Sequence, residues 1–176
     1  MDISKYLEVK NKIPENVNLL AVSKGFKSEE IRIINSLGQL DFGESKFQEG
    51  YEKQQVLKNL NEIRWHFIGR IQSNKIRKIV QNFQYIHSVD SYKKLIKIAN
   101  IAFEEKKNPS ILLQVKFSHD PTKGGFDSIE LKDKWEEIIQ LQSIDIKGLM
   151  TINPKGLSSL ENMELFQKCR SLADLL

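Results

Sequence analysis

The sequence predicts an α/β fold in which helices flank a parallel sheet. Short apolar runs alternate along the chain with segments whose apolar residues recur at i, i+3, i+4 and i+7. The alternation occurs about six times, and strict alternation of strands and helices is typical of parallel sheets. The 176 residues include 40% hydrophobic and 28% charged residues, an ordinary globular composition, without a linker or low-complexity stretch. We therefore expect a single domain over residues 1–176.

The predicted strands are apolar runs bounded by turn residues, which is typical of strands buried in a parallel sheet. They cover residues 19–25, 40–44, 64–69, 85–89, 111–115 and 146–152. A lead-in helix that is broken at Pro14 precedes the first strand.

The predicted helices are amphipathic, and several have a recognisable start. Ser28 is the expected N-cap of a helix over residues 28–38, which Gly38 ends. A polar helix over about 45–60 follows the second strand. Later helices are expected to be capped by Ser73 and by Asp90 or Ser91. The faces expected to be buried carry Ile76, Ile79, Val80 and Phe83; Leu95, Ile98, Ala99 and Ala102; Leu131, Trp135, Ile138 and Ile139; and Leu160, Met163, Phe166, Cys169 and Leu172.

The first strand, LLAVSKG at residues 19–25, is expected to be buried on both faces and to end on a lysine. Leu20, Val22 and Lys24 share one face because side chains alternate along a strand. Lysine is rarely buried without a partner. Desolvation favours the neutral amine, which is the form that attacks a carbonyl to make a Schiff base. The alternative is that Lys24 simply reaches water at the end of the strand.

Polar residues follow most of the predicted strands at their carboxyl ends. They are Lys24, Gly43 and Glu44, residues 66–70, residues 87–90, residues 123–125, and Met150 with Thr151. A doubly wound open sheet and a (β/α)₈ barrel both fit the alternation. In a barrel these residues lie on the one rim where active sites form, which favours a site around Lys24. The nucleotide-binding open sheet is disfavoured because no G-x-G-x-x-G follows the first strand.

Several blocks of the chain resemble the pyridoxal phosphate homeostasis proteins, the YggS- or PROSC-like family. The blocks are AVSK at 21–24, FGES at 42–45 with QE at 48–49, WHFIG at 65–69 with QSNK at 72–75, IHSVDS at 86–91, KGGF at 123–126 and GLMTI at 148–152. The resemblance implies a (β/α)₈ TIM-type barrel of the PLP fold type III class, like the N-terminal domain of alanine racemase. It also implies that Lys24 carries pyridoxal 5′-phosphate (PLP) as a Schiff base.

The resemblance also indicates a cofactor site and a difference in length. We assign Lys24, Ser45, His66, Ser88 and Met150 to cofactor binding; Ser45 stands where many members have asparagine, and Met150 could equally fill the barrel. The family continues with a further strand–helix unit, a Ser/Gly-rich turn and a strand carrying Val-Arg-Ile-Gly. Those segments would hold the phosphate and place an arginine at the pyridine nitrogen. We therefore expect a barrel truncated to about six strand–helix units, with the C-terminal strands missing and a weak grip on the phosphate.

The expected function is intracellular PLP homeostasis: the chain binds PLP covalently but reversibly and delivers it, with PLP-dependent apoenzymes as candidate recipients. The alternative from the enzyme class is a PLP-dependent amino-acid racemase or decarboxylase. Racemase chemistry of the related family needs a second acid/base group, there a tyrosine from another domain. The four tyrosines here, Tyr6, Tyr51, Tyr85 and Tyr92, lie in no matching motif. A regulatory, partner-binding protein is a third interpretation.

Other classes have weaker support in the sequence. The net charge of +4 is modest, and the basic residues between 70 and 78 lack the interleaved aromatics of an RNA-binding surface. His66, His87 and His119 lack metal-ligand spacing. The single cysteine, Cys169, suits a reducing cytosol. The sequence shows no signal peptide or membrane-spanning apolar run, and we expect a cytoplasmic monomer without a metal or catalytic residues.

Overall fold

The computed structural model describes residues 2–117 and 124–176, and they divide into two compact units, residues 1–69 and 70–176. His119, Lys123 and most of the expected loop after residue 117 lie outside the described residues. None of the helices within the described ranges combines the length and the apolar character that crossing a bilayer would require.

The first unit alternates three helices with three parallel strands. Its elements are α1 (Ile3–Lys12), β1 (Ala21–Val22), α2 (Ser28–Ser36), β2 (Asp41–Glu44), α3 (Phe47–Val56) and β3 (Arg64–Phe67). The strands pair in the order β1, β2, β3. Phe42 and Trp65 share one face, with ring centroids 6.2 Å apart, and both are buried. The other face carries Val22, Gly43 and His66 side by side.

The second unit continues the alternation. Its elements are α4 (Ile76–Asn82), β4 (Tyr85–Val89), α5 (Tyr92–Glu104), β5 (Ser110–Gln114), α6 (Ser128–Asp133), α7 (Trp135–Ile139), β6 (Asp145–Met150) and α8 (Ser159–Leu175). β5 pairs in parallel with β4 on one side and β6 on the other. The expected buried faces of α4 and α5 are confirmed, since all eight of their predicted core residues are buried.

The expected burial of the first strand on both faces is wrong. β1 is only two residues long, and Val22 is 42% exposed, while Ser23 on the opposite face is 2% exposed. Lys24 is exposed as well. An apolar run indicates that burial of a strand is favourable, but the packing of other elements decides whether each of its two faces is buried.

Two of the expected helix caps are also wrong. α2 begins at Ser28 itself, and the Lys27 N–H before it donates to Glu30 Oε2 at 2.9 Å. Ser73 lies in a turn closed by the Lys75 N–H and the Gln72 carbonyl at 2.8 Å, so α4 begins only at Ile76. Serine is favoured in turns as well as at N-caps, so residue type alone could not separate the two positions.

The expected burial of the last two helical regions is only partly right. Residues 128–139 form two short helices that meet at Lys134, and Ile138 is buried while Ile139 is 48% exposed. On α8 only Leu172 of the expected face is buried. Leu160, Met163 and Phe166 are at least half exposed. The helical period is present in α8, but among the described residues nothing covers the first turns of that face.

Candidate functional site

Lys24 occupies a tight turn that follows β1 directly. The Phe26 N–H donates to the Ser23 carbonyl at 3.0 Å, and Gly25 has φ +78°, the left-handed value that the third position of a type II turn requires. Among the residues that the structure describes, the Lys24 side chain has no hydrogen bond or ion pair. The turn therefore presents a primary amine at the carboxyl end of β1 that no described residue engages.

An ionic cluster of Ser23, Glu44, Glu49 and Lys53 lies against this turn, and all of its members except Glu49, whose side chain is 30% exposed, are buried. Lys53 Nζ donates to Glu44 Oε1, to Glu49 Oε1 and to the Ser23 carbonyl, each at 2.7 Å. Ser23 Oγ donates to Glu44 Oε1, also at 2.7 Å. The side chain of Lys53 is 8% exposed and that of Glu44 is fully buried. Lys53 thus uses all three ammonium protons in the cluster.

The two carboxylates of the cluster, Glu44 and Glu49, differ in their hydrogen bonding. Glu49 Oε1 also accepts the Gly25 N–H at 2.5 Å, and hydrogen bonds from Lys53 and then Gly25 hold the pKa of Glu49 below its usual value of 4.5. By contrast, Glu44 Oε2 is buried without a hydrogen-bond partner among the described residues. A buried carboxylate in this state depends on its cation, so we expect the cluster to rely on Lys53.

His66 lies on the sheet face that also carries Val22 and Gly43, and its ring is held by an acidic partner. His66 Nε2 lies 2.9 Å from Asp41 Oδ1, and Arg64 forms a bidentate pair with the same carboxylate at 2.6 Å for both bonds. Burial lowers the pKa of His66 below 6.5, and Asp41 offsets only part of this effect. Burial raises the pKa of Asp41, but the bonds from Arg64 and His66 outweigh burial and hold it below 3.8.

The buried His66 predicts a loss of stability in mild acid. The unfolded chain binds a proton near pH 6.5, whereas the fold keeps His66 neutral until its lower pKa is reached. Each pH unit within that window removes about 1.4 kcal/mol of the free energy of unfolding. Urea titrations between pH 7 and pH 4.5 should show this decline, and His66→Gln should flatten it below pH 6.5. The same slope in wild type and His66→Gln would contradict the assignment.

Ser45 lies just after β2, at the same end of the strands as the Lys24 turn. Its carbonyl oxygen would be 1.9 Å from a Cβ placed on Gly69, which no side chain could tolerate. This contact explains why the WHFIG block ends on glycine: the chain leaving β3 passes directly over the backbone of Ser45.

Ser88 and Met150 belong to the second unit. Ser88 lies in β4 and is 4% exposed, while Met150 ends β6 and is paired in register with Gln114. Nearby, Gln114 Nε2 donates to the Gly124 carbonyl at 2.7 Å, and Lys94 binds Asp90. The described residues contain no group of three or more His, Cys, Asp or Glu side chains arranged to hold a metal ion.

Sequence reasoning missed the residues that hold the Lys24 turn. Glu49 lies in one of the family blocks, but the sequence alone assigns no role to Glu49 or to Lys53. The signal was present, because Glu49 and Lys53 stand at i and i+4 of one helix, the favourable order for an ion pair. The sequence could not show that Lys53 is buried, since exposed pairs of this type are common.

A family model and individual sequence relatives both match nearly the whole chain. The chain matches the family described as alanine racemase, N-terminal domain, over residues 4–176. It is 42% identical over 170 residues to a pyridoxal phosphate homeostasis protein of Synechocystis sp., an alignment that covers 97% of this chain and 78% of the relative. It is 37% identical over 167 residues to the protein of that name in Vibrio alginolyticus, covering 93% and 71%.

A solved structure supports the fold assignment. PipY of Synechococcus elongatus PCC7942, determined with PLP bound, superimposes with a TM-score of 0.92 at 38% identity, covering 97% of this chain and 79% of PipY. The predicted α/β class and its likeness to the alanine racemase N-terminal domain are thereby confirmed. With this fold and these relatives, the chain belongs to the pyridoxal phosphate homeostasis proteins.

Proposed function

We propose that this protein binds PLP covalently and reversibly through Lys24 and serves PLP homeostasis. The observation that carries the proposal is the Lys24 turn. Its exposed amine has no partner among the described residues, and its backbone is hydrogen-bonded by Glu49 and Lys53 of the ionic cluster. The relatives named for PLP homeostasis, and PipY with PLP bound, support the same ligand. A cytosolic location, a monomeric state and PLP-dependent apoenzymes as recipients belong to the proposal.

The described residues near Lys24 fit an aldehyde ligand. When bound, PLP supplies an aldehyde carbon that is open to attack by an amine. The neutral Lys24 amine forms the new carbon–nitrogen bond, and its two hydrogens leave with the aldehyde oxygen as water. No electron donor or acceptor is needed, and added water reverses the step. Reversibility is what a protein that stores and releases a reactive aldehyde requires.

The remaining predicted contacts stay proposals. Ser45 is proposed because it lies at the carboxyl end of the strand next to β1. His66 is proposed in a supporting role, since its ring already binds Asp41. For Ser88 and Met150 the resemblance to the family is the only support.

Reduction with borohydride tests the covalent site. The protein is incubated with PLP and reduced. Its intact mass is measured by mass spectrometry, and the modified peptide is then identified by peptide mapping. We expect one pyridoxyl group per chain, located on Lys24. Labelling spread over exposed lysines such as Lys27 or Lys58 would contradict the proposal.

Transfer tests the homeostasis role. The PLP-loaded protein is mixed with an excess of a PLP-dependent apoenzyme, and recovery of enzyme activity is followed with free PLP kept low by dialysis. We expect activity to return as the loaded protein loses its PLP. A loaded protein that keeps its PLP would leave binding intact but contradict delivery.

We predict no enzymatic turnover of common amino acids. A placed acid/base group contributes roughly 10²–10⁴ to proton transfer rates. Tyr6 donates to Gln39 and Tyr92 donates to Glu137, so both hydroxyls are engaged elsewhere. Exchange of the Cα hydrogen of L-alanine with D₂O, followed by NMR, should be no faster with the loaded protein than with free PLP. Exchange about 10⁴-fold faster would support the racemase or decarboxylase alternative.

A further inference from the structure

The peptide groups on both sides of Lys24 are bound by side chains of one helix, α3. The Ser23 carbonyl, just before Lys24, accepts a hydrogen bond from Lys53 Nζ at 2.7 Å. The Gly25 N–H, just after it, donates to Glu49 Oε1 at 2.5 Å. The helix therefore holds the backbone of the turn at two points, while the Lys24 side chain has no hydrogen bond or ion pair within residues 2–117 and 124–176.

The two contacts reinforce each other. Lys53 and Glu49 are themselves paired at 2.7 Å, one helical turn apart, and Lys53 is anchored by Glu44 behind it. A hydrogen bond from a backbone N–H to a carboxylate is shorter and stronger than one between neutral groups. Gly25 makes this bond at a residue with positive φ, where the chain would otherwise sample several conformations.

We propose that Glu49, held in place by Lys53, is a positioning residue for Lys24. By fixing the Gly25 peptide it keeps residues 23–26 in the conformation from which the Lys24 amine reaches the PLP aldehyde. Without this bond the turn has to be ordered during the reaction, and a misplacement of about 1 Å can slow a reaction roughly 100-fold. The inference rests on the proposed function, because it assumes that Lys24 is the residue that reacts.

The test compares Glu49→Ala with Glu49→Gln, whose amide oxygen can still accept the Gly25 N–H. Glu52→Ala is the matched control, because Glu52 is exposed on the same helix and its side chain binds only Gln48 among the described residues. Glu49→Ala keeps the buried pair of Lys53 with Glu44, so it should melt cooperatively. If it does not, Glu49→Asp replaces it, since the shorter side chain keeps the charge but loses reach.

Two measurements are made on each variant. The first needs no PLP: hydrogen exchange of the Gly25 amide, measured by NMR, should be about tenfold faster in Glu49→Ala. The second is the rate of covalent PLP attachment, stopped with borohydride and read by mass, which should be about tenfold slower. Glu49→Gln should restore most of the wild-type exchange rate and attachment rate, and Glu52→Ala should match wild type in both.

The outcomes separate this inference from the proposed function. Attachment at the wild-type rate in Glu49→Ala, or unchanged exchange at Gly25, overturns the positioning role while Lys24 remains the binding residue. A failure of Glu49→Gln to recover attachment, despite a restored Gly25 amide, also overturns it, because the effect would then come from charge. If wild type does not label Lys24 at all, the proposed function fails and the inference fails with it.

Discussion

Lys24→Ala is expected to abolish covalent attachment of PLP and to weaken its equilibrium binding by on the order of 100-fold, about 2.7 kcal/mol. The variant removes the amine but leaves the turn intact, because every bond that holds the turn involves Ser23, Gly25 or Phe26. Intact mass after borohydride reduction measures the covalent bond, and equilibrium dialysis measures the affinity that remains.

Lys27→Ala is the matched control for this prediction. Lys27 is exposed three residues further on, and its bond to Glu30 uses the backbone N–H, which alanine retains. It should bind and retain PLP like wild type. Covalent PLP found at full occupancy in Lys24→Ala would show that another lysine is the attachment site.

Lys53→Met is expected to destabilise the fold by about 3–5 kcal/mol. The substitution leaves the fully buried Glu44 carboxylate without its cation, and one oxygen of Glu44 already has no partner among the described residues. Because a domain of this kind is stable by only roughly 5–15 kcal/mol, the loss should be plain in urea unfolding at pH 7.

The double variant Lys53→Met/Glu44→Gln distinguishes a buried charge from lost packing. Removing both charges should recover much of the stability, since the penalty of breaking a buried pair comes mostly from the charge left behind. Lys58→Met, at an exposed position just after α3, should change stability by less than about 0.5 kcal/mol. A double variant as unstable as Lys53→Met would indicate that Lys53 stabilises the fold through the packing of its aliphatic chain and not through its charge.

Much of the fold could be predicted from the sequence because its signals are local. Tyr85–Val89 was predicted as a strand with the same bounds that the structure has. The buried faces of α4 and α5 were predicted because an apolar stripe at helical spacing usually faces the core. The same reasoning failed on α8, where the stripe exists but nothing among the described residues covers its first turns. Periodicity reports which face could be buried, and only packing decides whether it is.

The candidate site, like the fold, could be predicted from the sequence only in part. The sequence by itself determined the family to which the chain belongs, and it predicts Lys24 as the attachment residue through its place at the end of an apolar run and within a recognisable block. Only the tertiary structure decided that Lys24 is exposed and that a lysine 29 positions further along, Lys53, is the buried one. The physical reason is that burial of a charge depends on partners distant in sequence, here Ser23 and Glu44, which only folding brings to Lys53.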